Sequence, residues 1–201
     1  MRISAFVIAV MIPLAGGLPA GAQEAGAESG VNPNADVTAP QQAITLDELF
    51  TELRHQTRVA AANRVARQIW RKWTDSGSDT INLLMLWSGK AMEEKNYAVA
   101  EDLLNQVVTL APDFAEGWNR RATLYFAQSN YGRSIADIER TLQLEPRHFG
   151  ALAGLGMILD RTGKDRKALE TWYRVLEIYP ANRRAQEAVV KLEEKLAGEA
   201  S

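Results

Sequence analysis

The chain has 201 residues, 46% of them hydrophobic, with 23 Lys+Arg against 25 Asp+Glu, two His and no Cys. That length accommodates one domain of ordinary size, or one domain with a tail. The balanced charge contains no long run of one sign, which argues against a nucleic-acid arm. The lack of Cys excludes disulfides, thiol nucleophiles and a lipid-bearing cysteine.

Residues 1–22 have the layout of a secretory signal peptide: Met1-Arg2 is a short positive start, Ile3 to Leu14 is almost wholly apolar, and Ala20-Gly21-Ala22 is an A-x-A site. A membrane anchor would need ~20 apolar residues, and Pro13, Gly16, Gly17 and Pro19 interrupt this stretch early. The expectation is export, cleavage before Gln23, and a periplasmic or secreted protein without stable membrane insertion. Residues 23–43, "QEAGAESGVNPNADVTAPQQA", contain no aromatic residue and too little apolar surface to offset their ordering entropy. They read as a flexible linker.

Pro112, Pro146 and Pro180 are spaced 34 residues apart. A fixed period of that length marks a repeat array, and alignment on the prolines gives three units, 81–114, 115–148 and 149–182. Within each unit, position 4 is large (Leu84, Trp118, Leu152), and positions 8 (Ser88, Ala122, Gly156) and 20 (Ala100, Ser134, Ala168) are small. Positions 24 (Leu104, Ile138, Trp172) and 28 (Val108, Leu142, Leu176) are apolar. The two blocks have helical spacing, so each unit is a pair of helices, broken at Lys95-Asn96, Ser129-Asn130 and Gly163-Lys164. Gly or Asn there tolerates the left-handed backbone that ends a helix.

One period upstream, residues 44–80 read as a degenerate first helix pair, with Phe50 at position 4, Leu53 at 7, Ala66 at 20, Trp70 at 24, Trp73 at 27, and Ser78 where the proline should stand. Downstream, residues 183–201 read as a capping helix and tail, with Asn182 as N-cap and Ala185, Val189 and Leu192 facing inward.

These residues resemble the tetratricopeptide repeat (TPR) family, above all "WNRRATLYFAQSNYGRSIADIERTLQLEP" from Trp118 to Pro146. The unit departs from the family pattern at position 7, held by Trp87 and Arg121 in the first two units, and at position 27, held by Val107, Thr141 and Val175. The resemblance implies an all-α solenoid of antiparallel helix pairs with a concave groove lined by the first helix of each unit.

Gly150, Gly154 and Gly156 stand close enough together to suggest a phosphate loop, but neither G-x-G-x-x-G nor G-x-x-x-x-G-K-[ST] is completed. Gly156 falls at position 8, where small residues let paired helices approach. Catalytic inventory is poor: there is no G-x-S-x-G elbow or HExxH pair, and His55 and His148 stand apart. His148 closes an inter-unit turn, where it could cap a helix or touch a partner. Glu93-Glu94 and Glu193-Glu194 lie beside lysines and read as helix-surface ion pairs. All five Trp fall in repeat-core columns, which argues against a cofactor box. No enzyme activity, cofactor or metal is expected.

If positions 4, 7, 8 and 11 face the second helix, positions 2, 5, 9 and 12 line the groove. That stripe holds Asn82, Met85, Gly89 and Met92, then Glu116, Asn119, Thr123 and Phe126, then Gly150, Ala153, Met157 and Asp160. Met85, Met92, Phe126 and Met157 offer adaptable apolar contacts, although they could equally pack between units. Asn119 and Thr123 offer hydrogen bonds, and Arg120 and Arg161 could meet a carboxylate from the rim. Some family members clamp a C-terminal carboxylate with Lys and Asn at positions 5 and 9 of a first unit; Met85 and Gly89 hold those places here. The candidate partner-binding residues are therefore Asn82, Met85, Met92, Asn119, Arg120, Thr123, Phe126, Met157, Asp160 and Arg161, for a peptide or helix of another protein laid along the groove. The alternatives are a homo-oligomerisation module pairing through its groove or its Trp-rich first unit, and an enzyme with an unrecognised site.

Overall fold

The computed structural model describes residues 44–199; the segments read as signal peptide (1–22) and linker (23–43) lie outside them. Among the described residues there are nine helices and no strand: α1 (Leu46–His55), α2 (Val59–Thr74), α3 (Asp79–Glu93), α4 (Tyr97–Leu110), α5 (Ala115–Ala127), α6 (Tyr131–Leu144), α7 (Phe149–Arg161), α8 (Asp165–Ile178) and α9 (Arg183–Glu199). The repeat units are the antiparallel pairs α3–α4, α5–α6 and α7–α8. They stack in order through α4 on α5, α6 on α7 and α8 on α9, with α5 beside α7 on the inner side. The fold is an all-α TPR solenoid.

The turns inside each pair are built differently from the sequence expectation. The left-handed residue is Lys95 (φ 58°) in the first unit and Ser129 (φ 59°) in the second, with Gly163 (φ 69°) only in the third. Asn96 and Asn130 instead cap the next helix, their side chains accepting from Val99 N and Arg133 N. The side-chain oxygen is used on an orphan helix N–H, and the strain of positive φ falls on the residue before it.

Gly156 meets its expected role. A Cβ built there would stand 2.7 Å from Trp172 Cε2, so the indole of α8 lies directly against the backbone of α7. Between units, Gly117 does the same for α4: a Cβ would lie 2.7 Å from Val107 Cγ1. Arg121, the departure at position 7, reaches across the stack. Its guanidinium makes a two-pronged bond to Asp137 at 2.8 Å on each prong and another to Asn105 Oδ1 at 2.9 Å. The Asp137 hydrogen bonds raise its pKa further above the usual value.

The tryptophans are not all core. Trp73 and Trp172 are buried, but Trp70 and Trp118 are only half-buried, and Trp87 is 50% exposed. Trp118 lies under Arg121 and Arg140, and its Nε1 donates to Pro112 O at 2.9 Å. Polar and cationic neighbours there replace the apolar packing expected from the column.

The main departure is the first helix pair. α1 and α2 form an antiparallel pair, with α1 opened by a capping box in which Thr45 and Glu48 satisfy each other's backbone N–H. Yet α1 packs on α8 and α2 on α5, and their buried residues share one core with α7, α8 and α9, while α3–α4 packs in a separate core with Leu124 of α5. The pair is therefore folded back across the array rather than stacked in front of α3. The physical reason lies in residues 75–78, where Ser78 replaces the repeat proline. Gly77 takes φ 73°, Gly77 N donates to Asp75 Oδ1 at 3.0 Å, and Ser76 N and Oγ donate to Asn82 Oδ1 at 3.0 and 2.7 Å. The regular junctions end instead in a similar cap at Ala111, Glu145 and Tyr179, with φ between −133° and −136° and ψ between 70° and 94°.

Candidate functional site

The inner side of the array is formed by α3, α5 and α7, and α2 is seated at the α7 end of it. Trp73 stacks on His148, ring centroids 4.1 Å apart at 10°. Trp70 stands edge-on to His148 and Phe149 and presses on Gly150, where a Cβ would lie 2.8 Å from the indole. His148 is fully buried; its Nδ1 accepts from Ala151 N at 3.1 Å, capping α7, which leaves Nε2 to donate to Glu116 Oε2 at 3.3 Å. Asn119 Nδ2 donates to the same oxygen at 2.8 Å, and Arg120 Nη2 pairs with Glu116 Oε1 at 3.3 Å. This buried carboxylate satisfied by three donors is a structural joint between α5, α7 and α2, since a buried charge is tolerated only when paired and hydrogen-bonded.

Several residues expected in the groove are therefore used elsewhere. Met85 is 6% exposed and belongs to the α3–α4 core, and Met92 packs half-buried against it. Asn82 holds the 75–78 turn. Asn119 hydrogen-bonds to Glu116, and Arg120 pairs with it. Asp160 is paired with Lys191 of α9 at 3.2 Å. The 3.6 period placed these residues on the right side of their helices, but it is blind to the neighbours that tertiary packing brings against that side.

Three of the expected residues, Thr123, Phe126 and Met157, do converge. Asn119, Thr123 and Phe126 of α5, with Gly154 and Met157 of α7, line a narrow cleft of about 80 Å³ on the inner side. Phe126 and Met157 are half-buried, and Thr123 is exposed with its hydroxyl donating to Asn119 O at 2.9 Å. Beside the cleft, the Arg161 guanidinium stands 5.0 Å from the Phe126 ring and donates to the Tyr131 hydroxyl at 3.5 Å, and the Tyr131 ring lies 5.9 Å from that of Phe126. Sequence reasoning missed that α2 forms part of the groove. The signal was present in the loss of the repeat proline at Ser78 and in the Gly77 beside it.

Among the described residues, no group of three or more His, Asp or Glu is placed to hold a metal, and no helix is long and apolar enough to cross a membrane. A family profile described as "Tetratricopeptide repeat" matches residues 90–143 and 119–183. A TPR repeat-containing protein of Rhizobium etli is 51% identical over 161 residues, covering 80% of this chain and 78% of that protein. The chain belongs to the tetratricopeptide repeat family. The small glutamine-rich TPR-containing protein 2 of Saccharomyces cerevisiae is 27% identical over 95 residues, 47% of this chain and 28% of that protein. The fold is similar to that of the first TPR domain of Spaghetti (RPAP3), solved with the HSP90 peptide SRMEEVD, at TM-score 0.57 and 22% identity over 60% of this chain and 95% of that one. It is also similar to the Sgt2 TPR domain of Aspergillus fumigatus, at TM-score 0.56 and 21% identity over 61% and 83% of the two chains.

Proposed function

We propose that this TPR protein is a non-catalytic interaction scaffold, exported from the cytoplasm, that holds a short segment of another protein in the cleft between α5 and α7. The observation that carries the reading is the α5–α7 cleft, where Phe126 and Met157 offer an apolar slot beside the exposed Thr123, with the Arg161 guanidinium against the Phe126 ring. An inserted apolar side chain is desolvated in such a slot, and the acceptor capacity of the Thr123 hydroxyl is available to a backbone N–H. A neighbouring fold solved with a bound peptide supports the same use of a TPR surface. Export is supported by the charged, apolar and A-x-A segments of residues 1–22. The balanced charge favours protein over nucleic acid as partner.

The test is crosslinking in the native host with mass-spectrometric identification, followed by affinity measurements. Phe126→Ala should cost ~2 kcal/mol or more of binding, as a central anchor does, while the helical spectrum holds. Unchanged affinity would move the partner off this cleft. Intact mass of the exported protein should begin at Gln23; a membrane-bound chain retaining residues 1–22 would overturn export with cleavage.

A second reading, homo-oligomerisation, is favoured by the uncovered face of α3. Leu83, Leu86 and Trp87 are 42%, 68% and 50% exposed, because α2 does not cover the face that the preceding helix covers in the other units. Light scattering decides it: a stable dimer dispersed by Leu86→Glu supports self-association, and a monomer at all concentrations removes it.

A further inference from the structure

A second and larger cleft lies between α2 and the far end of the array, with a volume of about 540 Å³. One wall is a single face of α2 carrying Asn63, Arg67 and Trp70; the opposite wall is the start of α7 at Phe149 and Gly150, and the start of α9 at Arg183 and Arg184. The cleft exists only because α2 is folded back, so it has no counterpart in a regular stack of repeats. Its size falls within the ~300–1,000 Å³ typical of ligand clefts.

Its charge is one-sided. Arg67, Arg183 and Arg184 all line it, no Asp or Glu does, and none of the three guanidinium groups has an ion-pair or hydrogen-bond partner among the described residues. Elsewhere, cations that bridge helices or turns are matched: Arg121 by Asp137, Arg147 by Glu145 and Asp47, Lys195 by Asp165. Burial pushes the Tyr179 hydroxyl up while the positive charge of Arg67 pulls it down, which sets that guanidinium close to the cleft wall. The half-buried Trp70 also lines the cleft and lies against the backbone of Gly150, where a Cβ would stand 2.8 Å from the indole. The chain as a whole carries a net charge of −2, so this positive cleft runs against its average.

We infer that this cleft is a docking site for an extended acidic segment of a partner protein, its carboxylates paired with Arg67, Arg183 and Arg184 and its apolar residues laid on Trp70 and Phe149. Guanidinium groups suit this because each can grip a carboxylate with two parallel N–H donors, and the aromatic floor supplies the apolar area that charge alone does not. The site is separate from the α5–α7 cleft of the proposed function and does not depend on it.

The test uses the purified full-length protein and two fluorescently labelled heptapeptides, Glu-Leu-Glu-Phe-Glu-Leu-Glu and its counterpart with Lys for every Glu, read by fluorescence anisotropy. The acidic peptide should bind and the basic one should not, and affinity should fall as salt is raised from about 0.05 to about 0.5 M, because exposed pairs are screened. The triple charge reversal R67E/R183E/R184E should weaken the acidic peptide by at least about tenfold, roughly 1.4 kcal/mol, and admit the basic peptide instead. Phe126→Ala should leave acidic-peptide binding unchanged, so failure here and failure of the α5–α7 reading can be told apart. All three arginines are exposed, so circular dichroism should show the triple variant folded. The inference is overturned if the acidic peptide does not bind, if the charge reversal leaves its affinity unaltered, or if inorganic phosphate at equal charge concentration displaces it completely, which would mark a small-anion site.

Discussion

Gly156→Ala sets helix propensity against packing in one residue. In the middle of a helix, Ala is favoured over Gly by about 1 kcal/mol, so a reading based on α7 alone expects stabilisation. The structure reverses the sign. The new methyl would stand 2.7 Å from Cε2 and 2.9 Å from Nε1 of Trp172, whereas carbon atoms in good contact sit about 3.5–4.0 Å apart. Trp172 is 3% exposed in the core shared with α1, α2 and α9, so its ring cannot swing into solvent. Overpacking costs about 1–3 kcal/mol, and a rigid ring against backbone falls in the upper half of that range. The expected net loss is about 1–2 kcal/mol, or about 2–8 °C in Tm for a chain of this size.

Two companions make the reasoning refutable by denaturant titration followed by circular dichroism. Gly89→Ala in α3 should stabilise by up to about 1 kcal/mol, because the nearest atom to its Cβ is Arg120 Nη1, at 3.4 Å on the end of a flexible side chain. Trp172→Ala should cost ~3–5 kcal/mol through its cavity. In that background Gly156→Ala should become stabilising, since the atom it strikes is gone. The account fails if Gly156→Ala stabilises the parent, or if its effect is the same with and without Trp172.

Trp73 stacks on His148 with its Nε1–H buried and unpartnered among the described residues. Trp73→Phe, which discards an unsatisfied donor, should therefore stay within about 1 kcal/mol of the parent, while Trp73→Ala should lose ~3–5 kcal/mol and release α1–α2 to limited proteolysis; equal losses would show that the N–H has an acceptor. Truncating Arg121 to Ala should destabilise by ~3 kcal/mol or more by leaving Asp137 buried and unpaired, and Asp137→Ala should behave alike, with the double variant less costly than the sum in a thermal-melt cycle. At the other end, hydrogen bonds from Thr45 hold the Glu48 carboxyl below its usual 4.5. A lowered folded-state pKa means the capping contribution is complete above about 4.5 and fades as pH falls through the folded value, so the protection of α1 amides, relative to intrinsic exchange at each pH, should fall on acidification below that point, and Glu48→Gln should flatten the response.

Much of the array was legible in the chain. The 34-residue spacing of Pro112, Pro146 and Pro180 and the small residues at Ser88, Ala122 and Gly156 report contacts between helices adjacent in sequence, and these contacts recur in every unit. The N-cap at Asn182, which accepts from Ala185 N at 3.0 Å, and the cap at His148 were readable for the same reason, since capping is settled within one turn. The groove stripe was legible as a face and only partly as a site. Thr123, Phe126 and Met157 remain on the inner cleft, while Met85, Asn82, Asn119 and Asp160 were claimed by a core, a turn, a buried carboxylate and α9.

Sequence alone thus determined the local terms: which residues are helical, where each pair breaks, and which columns must be small. It also located the irregular junction, at Ser78, without saying where that junction would send the helices before it. Tertiary structure decided the seat of α1–α2, through contacts such as Arg147 with Asp47, 100 residues apart, and Tyr179 with Asn63, 116 apart. Such contacts occur once and follow no period, so no repetition announces them. They hold α1–α2 against the surface that the array presents, and the larger cleft beside α2 comes into being with them.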